Sequence, residues 1–189
     1  MNNIKILIAE DEQIVAKNIE KRLTADGYQV VASVSTGEDA IEKAKLYSPD
    51  IILMDIKLKG KIDGIETADI LRRNFQLPVI FLTSYADEET FQRAKGTEPF
   101  GYLIKPFDNK ELNRVVELAL YKNKIYQELL ETKIRFEIAI KAGNMGVWEF
   151  WPTENKYFSD NNLKALYHFD SNELTDSLDD WSTLVYKED

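Results

Sequence analysis

The sequence predicts an α/β fold, a doubly wound parallel sheet of five β–α repeats, (βα)5, followed by a long helix and a small α+β segment. Three observations predict it. Five short runs rich in Ile, Val and Leu recur at roughly 25-residue intervals, nearly continuous in apolar character as strands buried on both faces are. The segments between them carry apolar residues at helical spacing. Turn and cap residues stand at the junctions. Strands that alternate strictly with helices pair in parallel and place helices on both faces of one sheet.

The elements follow in order. Strands are expected at Ile4–Ala9, Val30–Val34, Ile51–Met54, Val79–Leu82 and Gly101–Ile104. The first helix carries the stripe Ile14, Ala16, Ile19, Leu23, and Asp26-Gly27 ends it. Thr36-Gly37 opens the second, striped by Ala40, Ile41, Ala44 and Leu46, and Ser48-Pro49-Asp50 closes it. Ile65, Ala68, Ile70 and Leu71 mark the third. Phe91 and Ala94 mark a shorter fourth. Leu112, Val115, Val116 and Ala119 mark the fifth. Pro78 precedes the fourth strand and Pro106 follows the fifth. Residues 1–121 form the first domain on this reading.

Beyond it, neither Pro nor Gly interrupts the chain from Asn109 to Lys141. Ile125, Leu129, Thr132, Phe136 and Ala139 step by four and three, the spacing of a coiled-coil seam. One long helix is therefore expected, stopped by Gly143, with residues 122–142 as a linker that pairs with a second copy to form a homodimer. Residues 144–189 hold ten acidic and three basic side chains and an aromatic series from Trp148 to Tyr186. Val147–Trp151 and Lys156–Phe158, around Pro152–Asn155, read as a hairpin. Asn161–His168 and Asp179–Tyr186 read as short helices.

Composition narrows the function. A net charge of −9 speaks against a nucleic-acid-binding surface, which needs a basic stripe. With no cysteine and one histidine, His168, disulfides, thiolate metal sites, cysteine nucleophiles and multi-histidine relays are excluded. The N-terminus has no secretory pattern, and no apolar run approaches the ~20 residues that span a membrane. The chain is expected in the cytoplasm.

Chemistry gathers at the strand ends. Glu10 and Asp11 follow the first strand, Asp55 ends the third, Thr83 follows the fourth and Lys105 the fifth. Ligands of open parallel sheets bind outside the carboxyl ends of the strands, where the strand order switches direction. Taken singly, each residue has a structural explanation: Glu10-Asp11 and Asp55 as helix caps, Lys105 as a solvated surface charge. Together they are three carboxylates that repel unless a cation joins them. With no Cys or His nearby the cation is hard and oxygen-seeking, and Mg²⁺ fits. A carboxylate nucleophile, a divalent metal, a hydroxyl and a lysine are the parts that move a phosphoryl group.

Residues 1–121 resemble the receiver domain of two-component response regulators through Ile8–Glu12, Ile51–Asp55, Asp63-Gly64, Phe81–Ser84 and Gly101–Phe107. The motif set is highly specific and covers about two-thirds of the chain. The resemblance implies a flavodoxin-like strand order, 2-1-3-4-5. It implies that Asp55 accepts a phosphoryl group from a histidine kinase or phosphotransfer protein. Mg²⁺ would be held by Glu10, Asp11, Asp55 and the backbone carbonyl of Lys57. Lys105 would pair with the phosphoryl oxygens and Thr83 would hydrogen-bond the group. Tyr102 would swing inward with Thr83 as a switch.

Three departures stand out. Lys59 occupies a position usually held by Pro, in a loop one residue longer that carries Lys57, Lys59 and Lys61. Glu10 replaces the commoner Asp, and Ser84 stands where Ala or Gly is preferred. Residues 136–143, 146–151 and 178–185 look like the first half of a PAS sensor domain, so 143–189 are expected to form a partial PAS-like unit, a piece of a longer sensor protein. The chain is then a phosphoacceptor signalling module and not itself an enzyme. The competing functions are a phosphorylation-independent dimerisation scaffold and an aspartyl-nucleophile phosphatase. Such phosphatases carry a second Asp two residues after the nucleophile, where this chain has Lys57.

Overall fold

A computed structural model describes residues 4–84, 88–154 and 156–167. The order is β1 (Lys5–Ala9), α1 (Gln13–Ala25), β2 (Gln29–Val34), α2 (Gly37–Tyr47), β3 (Ile51–Asp55), α3 (Gly64–Phe75), β4 (Val79–Thr83), α4 (Glu88–Gly96), β5 (Gly101–Ile104), α5 (Asn109–Ala142), β6 (Trp148–Trp151), β7 (Lys156–Ser159) and α6 (Asn161–Leu166). The chain divides into two compact units, Met1–Tyr126 and Gln127–Asp189.

In the first unit five parallel strands lie in the order β2-β1-β3-β4-β5. The period-two geometry of a strand sorts its side chains onto two faces. Leu7, Ala9, Ile52, Met54, Val79 and Phe81 pack with Ala40 and Ala44 of α2, Ile65, Ala68 and Leu71 of α3, and Ala94 of α4. Ile6, Ile8, Ile51, Leu53, Ile80 and Leu82 pack on the other face with Ile19 and Leu23 of α1 and Leu112, Val116 and Ala119 of α5. All twelve strand residues are buried, so the three central strands, β1, β3 and β4, are covered on both sides, while β2 and β5 at the edges are only partly buried. Each Leu or Ile sequestered here contributes about 1.5–3 kcal/mol of transfer free energy. Not every stripe residue reaches the core: Ile14, at the first turn of α1, and Leu46, near the end of α2, are exposed.

The helix ends follow local chemistry. Thr36 caps α2 by accepting the Asp39 N–H at 3.1 Å. Asp63 caps α3 in a reciprocal box: its carboxylate accepts the Glu66 N–H at 2.8 Å, and Glu66 accepts the Asp63 N–H at 3.1 Å. Satisfying two orphan donors at once fixes where α3 begins. Gly64, the first residue of α3, sits against the end of β3, and its N–H donates to the Ile56 carbonyl at 2.9 Å. A Cβ there would run into the Asp55 carbonyl group.

In α5 the side chains of Ile125, Leu129 and Phe136 are exposed. Among the described residues no helix is long and apolar enough to cross a membrane. In the second unit β6 and β7 form an antiparallel hairpin that pairs Phe150 with Tyr157 and Trp151 with Lys156. The Trp148 and Tyr157 rings stack at 6.2 Å, and the Lys156 ammonium lies 5.5 Å from the Trp151 ring. Asp160 caps α6 through the Leu163 N–H and also accepts the Val147 N–H, tying hairpin to helix. His168 and the expected helix at Asp179–Tyr186 lie outside the described residues.

Candidate functional site

The register of the sheet builds the site. Ala9 pairs with Met54, so the next residues, Glu10 and Asp55, emerge side by side where β1 and β3 end. The chain leaves β1 for β2 on one flank and returns to β3 on the other, which makes this the switch point of the strand order. Thr83 ends β4 in register with Ile104, and Lys105 follows it. The Lys105 N–H donates to the Thr83 carbonyl at 2.7 Å, and its side chain reaches back across β4. The Lys105–Pro106 peptide bond is cis.

Glu10, Asp11 and Asp55 bring one carboxylate oxygen each within 4.8 Å of one another. Glu10 and Asp55 are buried, and Asp11 is partly exposed. The Lys105 Nζ lies 2.6 Å from Glu10 Oε2 and 2.6 Å from Asp55 Oδ2, bridging the two buried acids. Backbone donors occupy the other oxygens: Glu12 N–H to Glu10 Oε1 at 3.3 Å and Lys57 N–H to Asp55 Oδ1 at 3.0 Å.

Burial pushes Glu10 from 4.5 up to about 7, and the charge of Asp55 adds to the rise. The hydrogen bond from Lys105 opposes both but does not cancel them. Burial pulls Lys105 down, yet its hydrogen bonds to Asp55 and Glu10 outweigh that and hold it above its ordinary value. The two directions agree: a buried pocket tolerates one ammonium with one carboxylate, and the second carboxylate asks for another cation or a proton.

The cap reading of these acids fails in structural terms. Glu12, not Glu10 or Asp11, occupies the N-cap of α1, and its side chain makes no cap bond. The cap of α3 is Asp63, eight residues past Asp55. The acids are thus left free of helix-capping work. The donor set is hard oxygen only, close-spaced and short of positive charge, which suits Mg²⁺. Thr83 is partly buried at the end of β4. Tyr102 is partly buried on β5, its ring 5.9 Å from that of Phe81, and burial holds its hydroxyl above the ordinary value.

Some contributors were not legible beforehand. Lys59 sits at 3.2 Å from the Asp11 carbonyl and 3.8 Å from its carboxylate; the sequence signalled it only as a departure. Arg93 of α4 pairs with the cap residue Asp63 at 2.7 Å, a contact with no local sequence signal.

The model of the response regulator receiver domain family matches residues 6–117. The chain belongs to the response regulator receiver family. Among curated relatives, the transcriptional regulatory protein PdtaR of Mycobacterium tuberculosis is 33% identical over 116 residues, 61% of this chain and 56% of that protein. The alkaline phosphatase synthesis transcriptional regulatory protein PhoP of Bacillus subtilis is 35% identical over 134 residues, 69% of this chain and 54% of that protein. The chain therefore spans about half the length of these relatives. Among solved structures, the signal receiver domain of a modulated diguanylate cyclase from Desulfovibrio desulfuricans G20 superposes with TM-score 0.64 at 43% identity, covering 66% of this chain and 99% of that one. The N-terminal domain of a response regulator/sensory box/GGDEF 3-domain protein from Carboxydothermus hydrogenoformans gives TM-score 0.58 at 36% identity, covering 67% and 98%. Receiver domains are signalling modules of two-component systems that interact with histidine kinases or phosphotransfer proteins, and an acidic cluster such as this one is where they bind Mg²⁺.

Proposed function

We propose that this chain is the phosphoacceptor module of a two-component phosphorelay, with Asp55 as the acceptor. The observation that carries the reading is the Lys105 ammonium bridging Asp55 and Glu10 beside Asp11, at the switch point of the sheet. An Asp55 oxygen attacks the phosphorus of a partner's phosphohistidine. The O–P bond forms as the P–N bond breaks, and the imidazole leaves with a proton from solvent. Glu10, Asp11, Asp55 and the Lys57 carbonyl would hold Mg²⁺, which when bound neutralises charge on the transferring oxygens. Lys105 turns from the acids to the new phosphoryl oxygens, and Thr83 donates its hydroxyl to them. A dianionic group that recruits a hydroxyl and an ammonium biases the loop after β4, and Tyr102 is the side chain positioned to follow it. Beside Lys105 a groove of about 430 Å³, lined by Val15, Ile19 and Phe107 among others, gives a kinase surface on which to seat.

In this reading α5 carries the change from residues 1–121 through the linker 122–142 to a PAS-like sensor unit at 143–189. A relative in which a sensory box accompanies the response regulator supports that order. The exposed Ile125, Leu129 and Phe136 support a homodimer through the linker. The chain acts in the cytoplasm as a signalling module and not as an enzyme. Lys57, where an aspartyl phosphatase would need its general acid, argues against turnover.

Phosphoramidate, a small phosphoryl–nitrogen donor, tests the acceptor chemistry in the presence of Mg²⁺. The proposal expects an acyl phosphate, cleaved by alkali as well as by hydroxylamine. An adduct that alkali spares and acid removes would assign the phosphoryl group to His168 instead. Sedimentation with and without beryllofluoride tests the scaffold alternative, which requires a dimer indifferent to the phosphoryl mimic.

A further inference from the structure

We propose that Lys59 is a built-in cation latch on Asp11, one that Mg²⁺ must push aside and that weakens metal binding at this site. The inference rests on the metal reading given above and adds a residue to it.

The latch is constructed, not incidental. The Lys59 N–H donates to the Ser35 carbonyl at 3.2 Å, and Lys59 pairs with Thr36 in an isolated parallel bridge. Gly60 turns the chain at φ +114°, in the left-handed region, and lies so close to the Glu38 carboxylate that a Cβ would collide with it. The Lys61 N–H donates to Glu38 Oε1 at 2.8 Å, and this bond holds the Glu38 carboxyl below its ordinary value. Lys59 and Lys61 are thus fastened to the β2–α2 connection and to the first turn of α2. This fastening aims the Lys59 ammonium at Asp11.

As an ion pair this contact stabilises little, because Lys59 is largely solvent-exposed. Its consequence is for the metal. The Lys105 ammonium already pairs with Glu10 and Asp55, and Lys59 brings a second ammonium to Asp11. A divalent ion arriving among them meets a site that is mostly neutralised and a like charge a few ångströms from one of its ligands. Coulomb repulsion over about 6 Å in a water-like medium, screened at physiological ionic strength, lowers Mg²⁺ affinity roughly threefold to tenfold.

Mg²⁺ titration of the full chain, followed by amide ¹H–¹⁵N shifts, measures this directly and without reference to phosphorylation. Lys59→Gln is expected to bind Mg²⁺ roughly threefold to tenfold more tightly than the wild type, with the gap closing as salt is raised. Lys59→Arg keeps the charge and is expected to stay near the wild type. Glu38→Gln weakens the fastening and is expected to fall between. Equal affinity in wild type and Lys59→Gln, with Asp11→Asn abolishing binding, overturns the latch and leaves the metal site standing. Binding that survives unchanged in Asp11→Asn overturns the metal reading and the latch together.

Discussion

Gly64→Ala tests how tightly α3 is set against the acceptor strand. A Cβ at residue 64 would overlap the Asp55 carbonyl oxygen, stand 2.9 Å from that carbonyl's carbon and 3.1 Å from the Ile56 Cα, whereas carbon contacts settle near 3.5–4.0 Å. Every atom in the way is backbone, so no side chain can swing aside. The N-terminus of α3 must retreat by upwards of about 0.5 Å, which also stretches the Gly64 N–H bond to Ile56. Overpacking of this kind costs about 1–3 kcal/mol and the hydrogen bond about 1 kcal/mol, for a total near 2–4 kcal/mol. Urea unfolding followed by far-UV circular dichroism reads it. Gly96→Ala, at an α4 position with nothing within 4 Å, is the control and should be neutral or mildly stabilising. A Gly64→Ala variant within about 0.5 kcal/mol of the wild type would refute the packing argument.

Two further predictions concern the same region. Asp63→Ala should cost about 1–2 kcal/mol, nearly all from the capping box, while Arg93→Ala, which removes the half-exposed partner of Asp63 and leaves the box intact, should cost less than about 1 kcal/mol; comparable losses in the two variants would contradict the assignment to the cap. The pH dependence follows from Glu10. Its folded value of about 7 lies above the ordinary 4.5, so the folded chain holds a proton that the unfolded chain releases. This contribution to stability is lost as pH rises through 7. In chelator, the wild type should therefore be more stable at pH 6 than at pH 8 by about 1 kcal/mol from this group, and Glu10→Gln should lose that difference. A pH difference that persists undiminished in Glu10→Gln would assign it to other groups.

The fold was readable because its signal is apolar and periodic. Strands such as Ile51–Met54 are buried on both faces and so leave an unbroken run in the sequence. The helix stripes were readable where they meet the sheet, as at Ile19 and Leu23, and misleading at Ile14 and Leu46, whose spacing fits the stripe but whose places at the helix ends carry them past the edge of the core. Buried Thr67 of α3 was invisible to hydrophobic patterning; it is tolerated because its hydroxyl donates to the Asp63 carbonyl at 2.7 Å. The site acids were legible because parallel strands deliver their following residues to one edge. What was not legible is how the edge is wired. Lys105 spans two acids that follow or end different strands, and the loop that carries Lys59 is tied through the Lys61 N–H to Glu38, twenty-three residues earlier. Long-range contacts of that kind leave no local pattern.

The central claim is that Asp55 takes a phosphoryl group. The full chain, incubated with acetyl phosphate and Mg²⁺ and weighed intact, tests it most directly. The account predicts a single phosphoryl adduct on the wild type that chelator prevents and that is absent from Asp55→Asn. A wild type that stays unmodified, or an adduct that persists in Asp55→Asn, would contradict it.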